Sequence, residues 1–367
     1  MSPTPDPFPR PEGEPSLRVG YIGCGFMAQR VHLPNFSTLP GCDLVALAEL
    51  RPELGRKVQQ RFGIPRLYRE HHELLADPDI EAVALSAAFH VQGELARDAL
   101  LAGKDVFMEK PMAISLAQAD RIVAAERESG KRLLVGYMKR YDAGNELVKT
   151  LIDETRQTGE FGDMTYLRNH SFGGNWLAGL EGPFDTTDEP MPTSPVVGPN
   201  WLPTEWLDAY VAYLQQFTHN INLLRHFSGA GDEVSVRTVD LDDDGYGGVV
   251  TFDLAGVRGT LESGRMSHHR WDEHTQVYFR DGWLHTWAPP LMQRQAAAEV
   301  EVYRAGQTQT FSRPVVAPGW AYRREAEFFL DAVRTGAPFR STATDTRTDV
   351  RLFEEIYRQF LTQRGVL

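Results

Sequence analysis

The sequence predicts two units of different construction. A parallel α/β sheet with helices on both faces runs to about residue 138, and an α+β unit on a mostly antiparallel sheet follows. Three observations carry this. Apolar strand-like runs alternate with helical stretches in the first part. Short β-rich runs joined by turn dipeptides replace them after about residue 160. A chain of 367 residues is long enough for two full hydrophobic cores.

Met1 to Ser16 is rich in Pro, Asp and Glu and has no apolar stretch, so it reads as a disordered leader and not a secretory signal. Strand-like runs follow at Arg18–Ile22, Leu44–Ala48, Ala82–Ala87, Asp105–Met108 and Arg132–Gly136. Helical stretches such as Glu53–Phe62 and Gln92–Ala102 lie between them, and Gly103 is placed to stop the latter. Alternation of this kind gives a parallel sheet, whose ligands sit at the carboxyl ends of the strands.

The second part carries β-rich runs at Asp163–Phe172, Glu233–Asp240, Gly247–Leu254, Val257–Gly264, Gln276–Arg280, Gly282–Thr286, Glu299–Arg304 and Gln307–Phe311. Asp281-Gly282 and Ala305-Gly306 turn between neighbours, which predicts antiparallel pairing. One helix is inserted at about Thr204–Phe227, and two close the chain near Trp320–Arg334 and Thr344–Arg364. Gly173–Pro203 holds six prolines and five glycines, which predicts an irregular lid or binding loop.

Composition excludes several classes of partner. Against 38 basic residues stand 50 acidic ones, a net charge of -12, which argues against nucleic acid and anionic membrane surfaces. No apolar run approaches the roughly 20 residues of a membrane span. Only two cysteines occur, Cys24 and Cys42, so a disulfide framework is not expected and a reducing cytoplasm is.

Leu17-Arg-Val-Gly-Tyr-Ile-Gly-Cys-Gly-Phe-Met-Ala28 is the most informative stretch. It reads as a strand, a glycine turn and a helix opening near Phe26. Gly23 and Gly25 allow a tight turn and close approach of a diphosphate, and the small Ala28 lets helix and strand pack. The first N–H groups of that helix, about Phe26 and Met27, face anions. Leu44–Ala48 then ends in Glu49, the acidic residue that a ribose hydroxyl needs, followed by Leu50 and Arg51. These features predict a Rossmann dinucleotide-binding domain over residues 17–138 and a substrate domain over 139–367. NAD is expected over NADP, because Glu49 repels an added phosphate.

Glu109-Lys110-Pro111 directly follows a strand and falls at the sheet's binding edge. A lysine there can hold a substrate hydroxyl, provided its pKa is lowered from about 10.4. On the inserted helix Trp206, Tyr210, Tyr213 and Phe217 form a core-facing stripe, and Gln215, His219, Asn222 and His226 a polar one opposite. His71, His72, His268, His269 and His274 show no metal-ligand spacing, so no metal is expected; they read as loop and surface residues. Trp176, in the long loop, and Trp271 can stack on a substrate ring, with buried packing the favoured alternative.

With these motifs in order, the chain resembles the glucose–fructose oxidoreductase / inositol dehydrogenase / rhizopine-catabolism (GFO/IDH/MocA) family from about residue 17 to the C-terminus, most specifically through Leu17–Asp142. The resemblance implies a Rossmann domain followed by an open sheet whose other face forms a homodimer or homotetramer interface. It makes Lys110 the catalytic and substrate-binding lysine. Gly136-Tyr-Met-Lys-Arg-Tyr-Asp142 looks like the next family motif, which puts Met138 and Lys139 beside cofactor and substrate. His219-Asn-Ile-Asn-Leu-Leu-Arg225 matches the segment of the catalytic histidine. Three departures stand out. Gln215 and Asn222 replace aspartates and are expected to bind substrate in their place, and Ala87-Ala-Phe-His-Val-Gln92 replaces a Thr-Pro-x-x-x-His loop on the cofactor side, where Ala87, Ala88, His90, Gln92 and Glu109 are expected.

The expected activity is hydride transfer between a nicotinamide and a secondary alcohol or ketone of a sugar, glycoside or cyclic polyol. Two alternatives stay open. One is a tightly bound NAD used for transient oxidation in glycoside cleavage; the other is a non-catalytic sugar or nucleotide sensor of the same fold.

Overall fold

A computed structural model describes residues 16–178, 180–266 and 271–367. The first sheet joins β1 (Leu17–Ile22), β2 (Cys42–Ala48), β3 (Arg66–Tyr68), β4 (Ala82–Leu85), β5 (Asp105–Glu109) and β6 (Leu133–Gly136). All pairs are parallel and the order is β3-β2-β1-β4-β5-β6. Strand order therefore reverses between β1 and β4, and the crevice of such a sheet opens there. Helices α1 (Leu33–Phe36), α2 (Pro52–Phe62), α3 (His71–Leu75), α4 (Phe89–Leu101) and α5 (Leu116–Ser129) make the connections. Sequence reading misses β3, because three half-buried residues at a sheet edge give no periodic signal.

α6 (Ala143–Thr158) leads into the second sheet. It contains β7 (Met164–Gly173), β8 (Val234–Leu241), β9 (Gly248–Leu254), β10 (Val257–Arg265), β11 (Asp272–Phe279), β12 (Gly282–Trp287), β13 (Glu299–Arg304) and β14 (Thr310–Ser312). Between β7 and β8 runs α7 (Leu207–Ser228), and α8 (Ala321–Thr335) and α9 (Ala343–Gln363) close the chain. The order is β14-β13-β12-β11-β7-β10-β9-β8, antiparallel except for β7 beside β10. That one parallel pair arises because β7, first in sequence, takes the middle of the sheet.

α7 and α9 cover one sheet face. Tyr210, Tyr213 and Phe217 are fully buried there with Phe353 and Tyr357, as the aromatic stripe predicts. The C-terminal helices also return to the first sheet: Phe329 and Leu330 of α8 pack with Tyr21, Phe36 and Phe107. Val350 of α9 packs with Val135 and Ile122. Among the described residues no helix is long and apolar enough to cross a membrane.

Glu325 of α8 is fully buried, and neither carboxylate oxygen has a hydrogen-bond partner among the described residues. Burial, reinforced by the nearby Glu109 carboxylate, holds its pKa well above the ordinary range. A carboxyl with a raised folded-state pKa contributes fully below its unfolded value and loses that contribution as pH rises, by about 1.4 kcal/mol per unit. Glu325→Gln is therefore expected to stabilise the chain by about 1–3 kcal/mol at pH 8, with the gain shrinking toward pH 4.5. Urea unfolding at both pH values checks this; an equal effect at each would contradict it.

Candidate active site

The glycine turn lies at the carboxyl end of β1. Gly23 has φ +88°, and a Cβ there would stand 2.4 Å from the Ser86 carbonyl oxygen, so both conformation and space demand glycine. Gly25 differs, since a Cβ on it would meet no atom within 4 Å. That open backbone is the room a diphosphate needs. The first turn closes with Gln29 N–H donating to the Gly25 carbonyl at 3.0 Å, and a π turn at Ala28–His32 follows. Phe26 and Met27 pack against a cluster with Met138, Met292 and Trp320.

Glu49 ends just past β2, buried at 7% exposure. Its Oε2 accepts from the Cys24 N–H at 2.9 Å and the Cys24 thiol at 3.2 Å. Its Oε1 accepts from Arg51 N–H at 3.2 Å and Arg51 Nε at 2.6 Å. Burial pushes its pKa up, but the bonds from Arg51 and Cys24 outweigh this and hold it below the usual range. The glycine cradle and the ionised carboxylate fit a dinucleotide: Gly23, Gly25, Phe26 and Met27 would hold the diphosphate and Glu49 the adenosine ribose. Leu50 is exposed beside it.

The reacting end is assembled from both units. Lys110 follows β5, and its Nζ donates to the Gln215 carbonyl on α7 at 3.1 Å. Burial lowers its pKa, and Glu109 opposes the shift. Lys139 sits on the short helical turn Met138–Tyr141 and forms an ion pair with Glu273 of β11. Burial and the Lys110 ammonium pull Lys139 down to about 7, and the Asp142 carboxylate opposes that pull. His219 is 5% exposed, and neither ring nitrogen has a partner among the described residues. Burial, then the Lys110 and Lys139 charges, hold its pKa well below 6.5. Two lysines thus face a neutral imidazole, whose free lone pair and N–H suit proton exchange with a hydroxyl.

Supporting bonds fix this group. Asp142 caps α6, accepting from Gly144 N–H at 2.8 Å, and Asn145 Nδ2 donates to the Lys139 carbonyl at 2.9 Å. Asn220 Nδ2 donates to Glu273 Oε1 at 2.8 Å. Tyr137 places its ring edge-on to His219 at 5.7 Å.

Several expected site residues face elsewhere. Asn222 has both ends of its amide engaged within the protein: its Oδ1 accepts from Arg140 Nε at 2.6 Å, and its Nδ2 donates to Asp349 at 2.7 Å. It is a member of a buried network with Arg225 and Asp345, because its phase on α7 points at α9. The polar stripe is consequently a buried seam, not a solvated face. Gln92 is fully buried and donates to the Pro111 carbonyl at 2.7 Å, holding the backbone after Lys110. Glu109 turns into the core, where its carboxylate meets His32 Nε2 at 2.9 Å. Trp176 packs edge-on against Phe26 at 5.5 Å, on the glycine-turn side rather than with the lysines. His90 meets Ser194 at 2.7 Å, Ala88 precedes α4 as an exposed residue, and Ala87 is half-buried.

His268 and His269 lie outside the described residues. On the other face of the second sheet, ligand-capable atoms of His170, Asp272 and His274 lie within 4.8 Å of one another. Cross-strand pairing accounts for them, since His170 Nδ1 meets Glu262 at 2.7 Å and His285 meets His274 at 3.2 Å.

Sequence reasoning missed Glu273, Asn220 and His32. For Glu273 a signal existed, since it shares the inward phase of β11 with Thr275, Val277 and Phe279.

Residues 17–137 match the model of an oxidoreductase family with an NAD-binding Rossmann fold, GFO/IDH/MocA. The first unit therefore carries the NAD-binding Rossmann domain described for that family. Inositol 2-dehydrogenase of Burkholderia lata is 36% identical over 165 residues, 43% of this chain and 48% of that protein. The match thus spans about half the length of that relative. Among solved structures, an aldose–aldose oxidoreductase from Caulobacter crescentus superposes with TM-score 0.69 at 20% identity, covering 95% of this chain and 98% of that one. A 3-ketoreductase from Actinomadura kijaniata, in complex with NADP and TDP-benzene, gives 0.68 at 21%, covering 94% and 98%. At such identities the two structures show the shared fold alone. The fold shared with them extends through the second sheet as well as the first.

Proposed function

We propose that the chain is a nicotinamide-dependent oxidoreductase that interconverts a secondary alcohol and a ketone on a sugar, glycoside or cyclic polyol. The observation that carries this reading is the meeting of Lys110, Lys139 and neutral His219 at the carboxyl edge of the first sheet. The cofactor, when bound, supplies the hydride acceptor for the carbinol carbon. The chain's own residues handle the hydroxyl. Lys110 and Lys139 hold its oxygen, so negative charge developing there meets a positive field. His219, uncharged, accepts the hydroxyl proton as the C–H bond breaks and returns it when the ketone is reduced. Gln215 and Asn220 lie on the same helix beside this group, and Glu273 fixes the Lys139 ammonium. NAD is the proposed cofactor, because Glu49 is ionised and buried where the adenosine ribose needs an acceptor.

A tightly held NAD, reduced and reoxidised without leaving, is favoured by one further observation. The segment between β7 and α7 bonds across Gln29, Lys57, Arg61 and His90, closing over the cofactor edge. A panel of inositols, aldoses, glycosides and their keto forms, followed at the reduced-nicotinamide absorbance with and without added NAD, tests the proposal. Alcohol-dependent reduction with added NAD supports free turnover, and aglycone release without it supports the held cofactor. A flat response in both arms, with dinucleotide binding verified, would contradict the proposal.

A further inference from the structure

We infer that Glu189, carried on the long segment between β7 and α7, is a cofactor-specificity determinant that closes the β2–α2 corner against the 2′-phosphate of NADP. The inference rests on the nicotinamide reading above and assigns a residue far from Glu49 in sequence to the same choice.

An added phosphate at this corner needs two kinds of donor: free N–H groups at the α2 N-terminus and an unpaired cation. Both are already taken. Glu53 N–H donates to Glu189 Oε1 and Leu54 N–H to Oε2, each at 2.9 Å, and Thr187 Oγ1 donates to Oε2 at 3.0 Å. Arg51 bonds Glu49, as described, and it also lies close enough to Glu189 that each charge stabilises the other. Glu49 accepts four hydrogen bonds, which fills its carboxylate. A ribose hydroxyl binding there displaces the Arg51 side chain, and Glu189 is the carboxylate waiting to pair with it. NAD therefore leaves every charge at the corner matched, whereas NADP brings about two further negative charges beside two carboxylates.

Glu189 is not a loose surface group. The segment that carries it is tied down on both sides of the corner. Asp185 exchanges bonds with the Gln29 side chain, accepting on its carbonyl at 3.1 Å and donating its N–H at 2.8 Å. Its carboxylate also pairs with Arg61 at 3.2 Å. Lys57 Nζ donates to the Thr186 carbonyl at 3.1 Å, and Ser194 meets His90. Arg30 donates to the carbonyls of Glu181, Gly182 and Pro183 and lies over the Phe184 ring. These anchors do not depend on Glu189, so its charge can be removed while the segment stays in place.

The test is calorimetric titration of NAD and NADP into the full chain and into Glu189→Gln and Glu189→Ala. The wild-type chain is expected to bind NAD at least about tenfold tighter than NADP. Both variants should tighten NADP by about tenfold or more and keep NAD within about threefold, with melting temperatures near wild type. Unchanged NADP affinity in both variants overturns the inference and leaves the nicotinamide reading standing. So does an equal weakening of NAD and NADP, which would make Glu189 only a clamp. A wild-type chain that binds neither dinucleotide overturns the nicotinamide reading and the inference together.

Discussion

Lys110→Met is expected to lower kcat/KM by about 10²–10⁴-fold while leaving NAD affinity within about threefold. Methionine keeps the buried hydrocarbon stem of Lys110 but removes the Nζ that reaches Gln215 and the substrate side of the site. Gly23, Gly25 and Glu49, which are proposed to hold the dinucleotide, lie on other strand ends, so its binding should survive. Calorimetry for NAD and initial rates on the same preparation separate the two effects. Loss of NAD binding together with rate would make Lys110 a structural residue, and an unchanged rate would remove it from the chemistry.

His219→Ala should depress the whole pH profile of alcohol oxidation by about 10²-fold or more without moving its acid limb. The sign follows from the charges around it. His219 is already neutral well below pH 6.5, so lowering the pH from 8 to 6 does not protonate it. Burial and the Lys110 charge pull Lys139 down to about 7, and burial also lowers Lys110 from its ordinary range. His219 must hand on the hydroxyl proton it takes, and protonating Lys139 on acidification removes the neighbouring amine that can receive it, while Lys110 keeps the positive field. The wild-type rate is therefore expected to rise between pH 6 and 8. Initial rates across that range, for wild type and variant, check it. A limb that vanishes in His219→Ala would assign the titration to the imidazole instead.

Much of the first unit was legible because it rests on local signals. Gly23, Gly25 and Ala28 announce a tight strand-to-helix turn by their size alone, and the apolar run before Glu49 announces the second strand end. The position of Lys110 at the carboxyl end of β5 was legible from the apolar run before it. Residues whose neighbours are remote in sequence were not. Asn222 looked like a substrate ligand until Arg140 and Asp349, 82 and 127 residues away, claimed both ends of its amide. Gln92 looked like a cofactor contact but serves the Pro111 carbonyl. The strand carrying Glu273 was expected to begin only at Gln276, because Asp272-Glu-His-Thr275 is poor in strand formers. Pairing with β7 extends it and delivers the carboxylate that holds Lys139. Glu189 was hidden for a similar reason: nothing in a proline-rich loop marks which carboxylate will cap a helix more than 130 residues upstream.

Hydride transfer from a carbinol carbon is the central claim, and isotope tracing tests it without depending on cofactor release. The protein, incubated with NAD and a panel of inositols and aldoses deuterated at their ring carbinol carbons, is denatured and its nicotinamide analysed by mass spectrometry. The account predicts reduced cofactor carrying deuterium, formed by wild type and strongly diminished in Lys110→Met. Cofactor that stays oxidised or unlabelled with every alcohol, although NAD is bound, would contradict it.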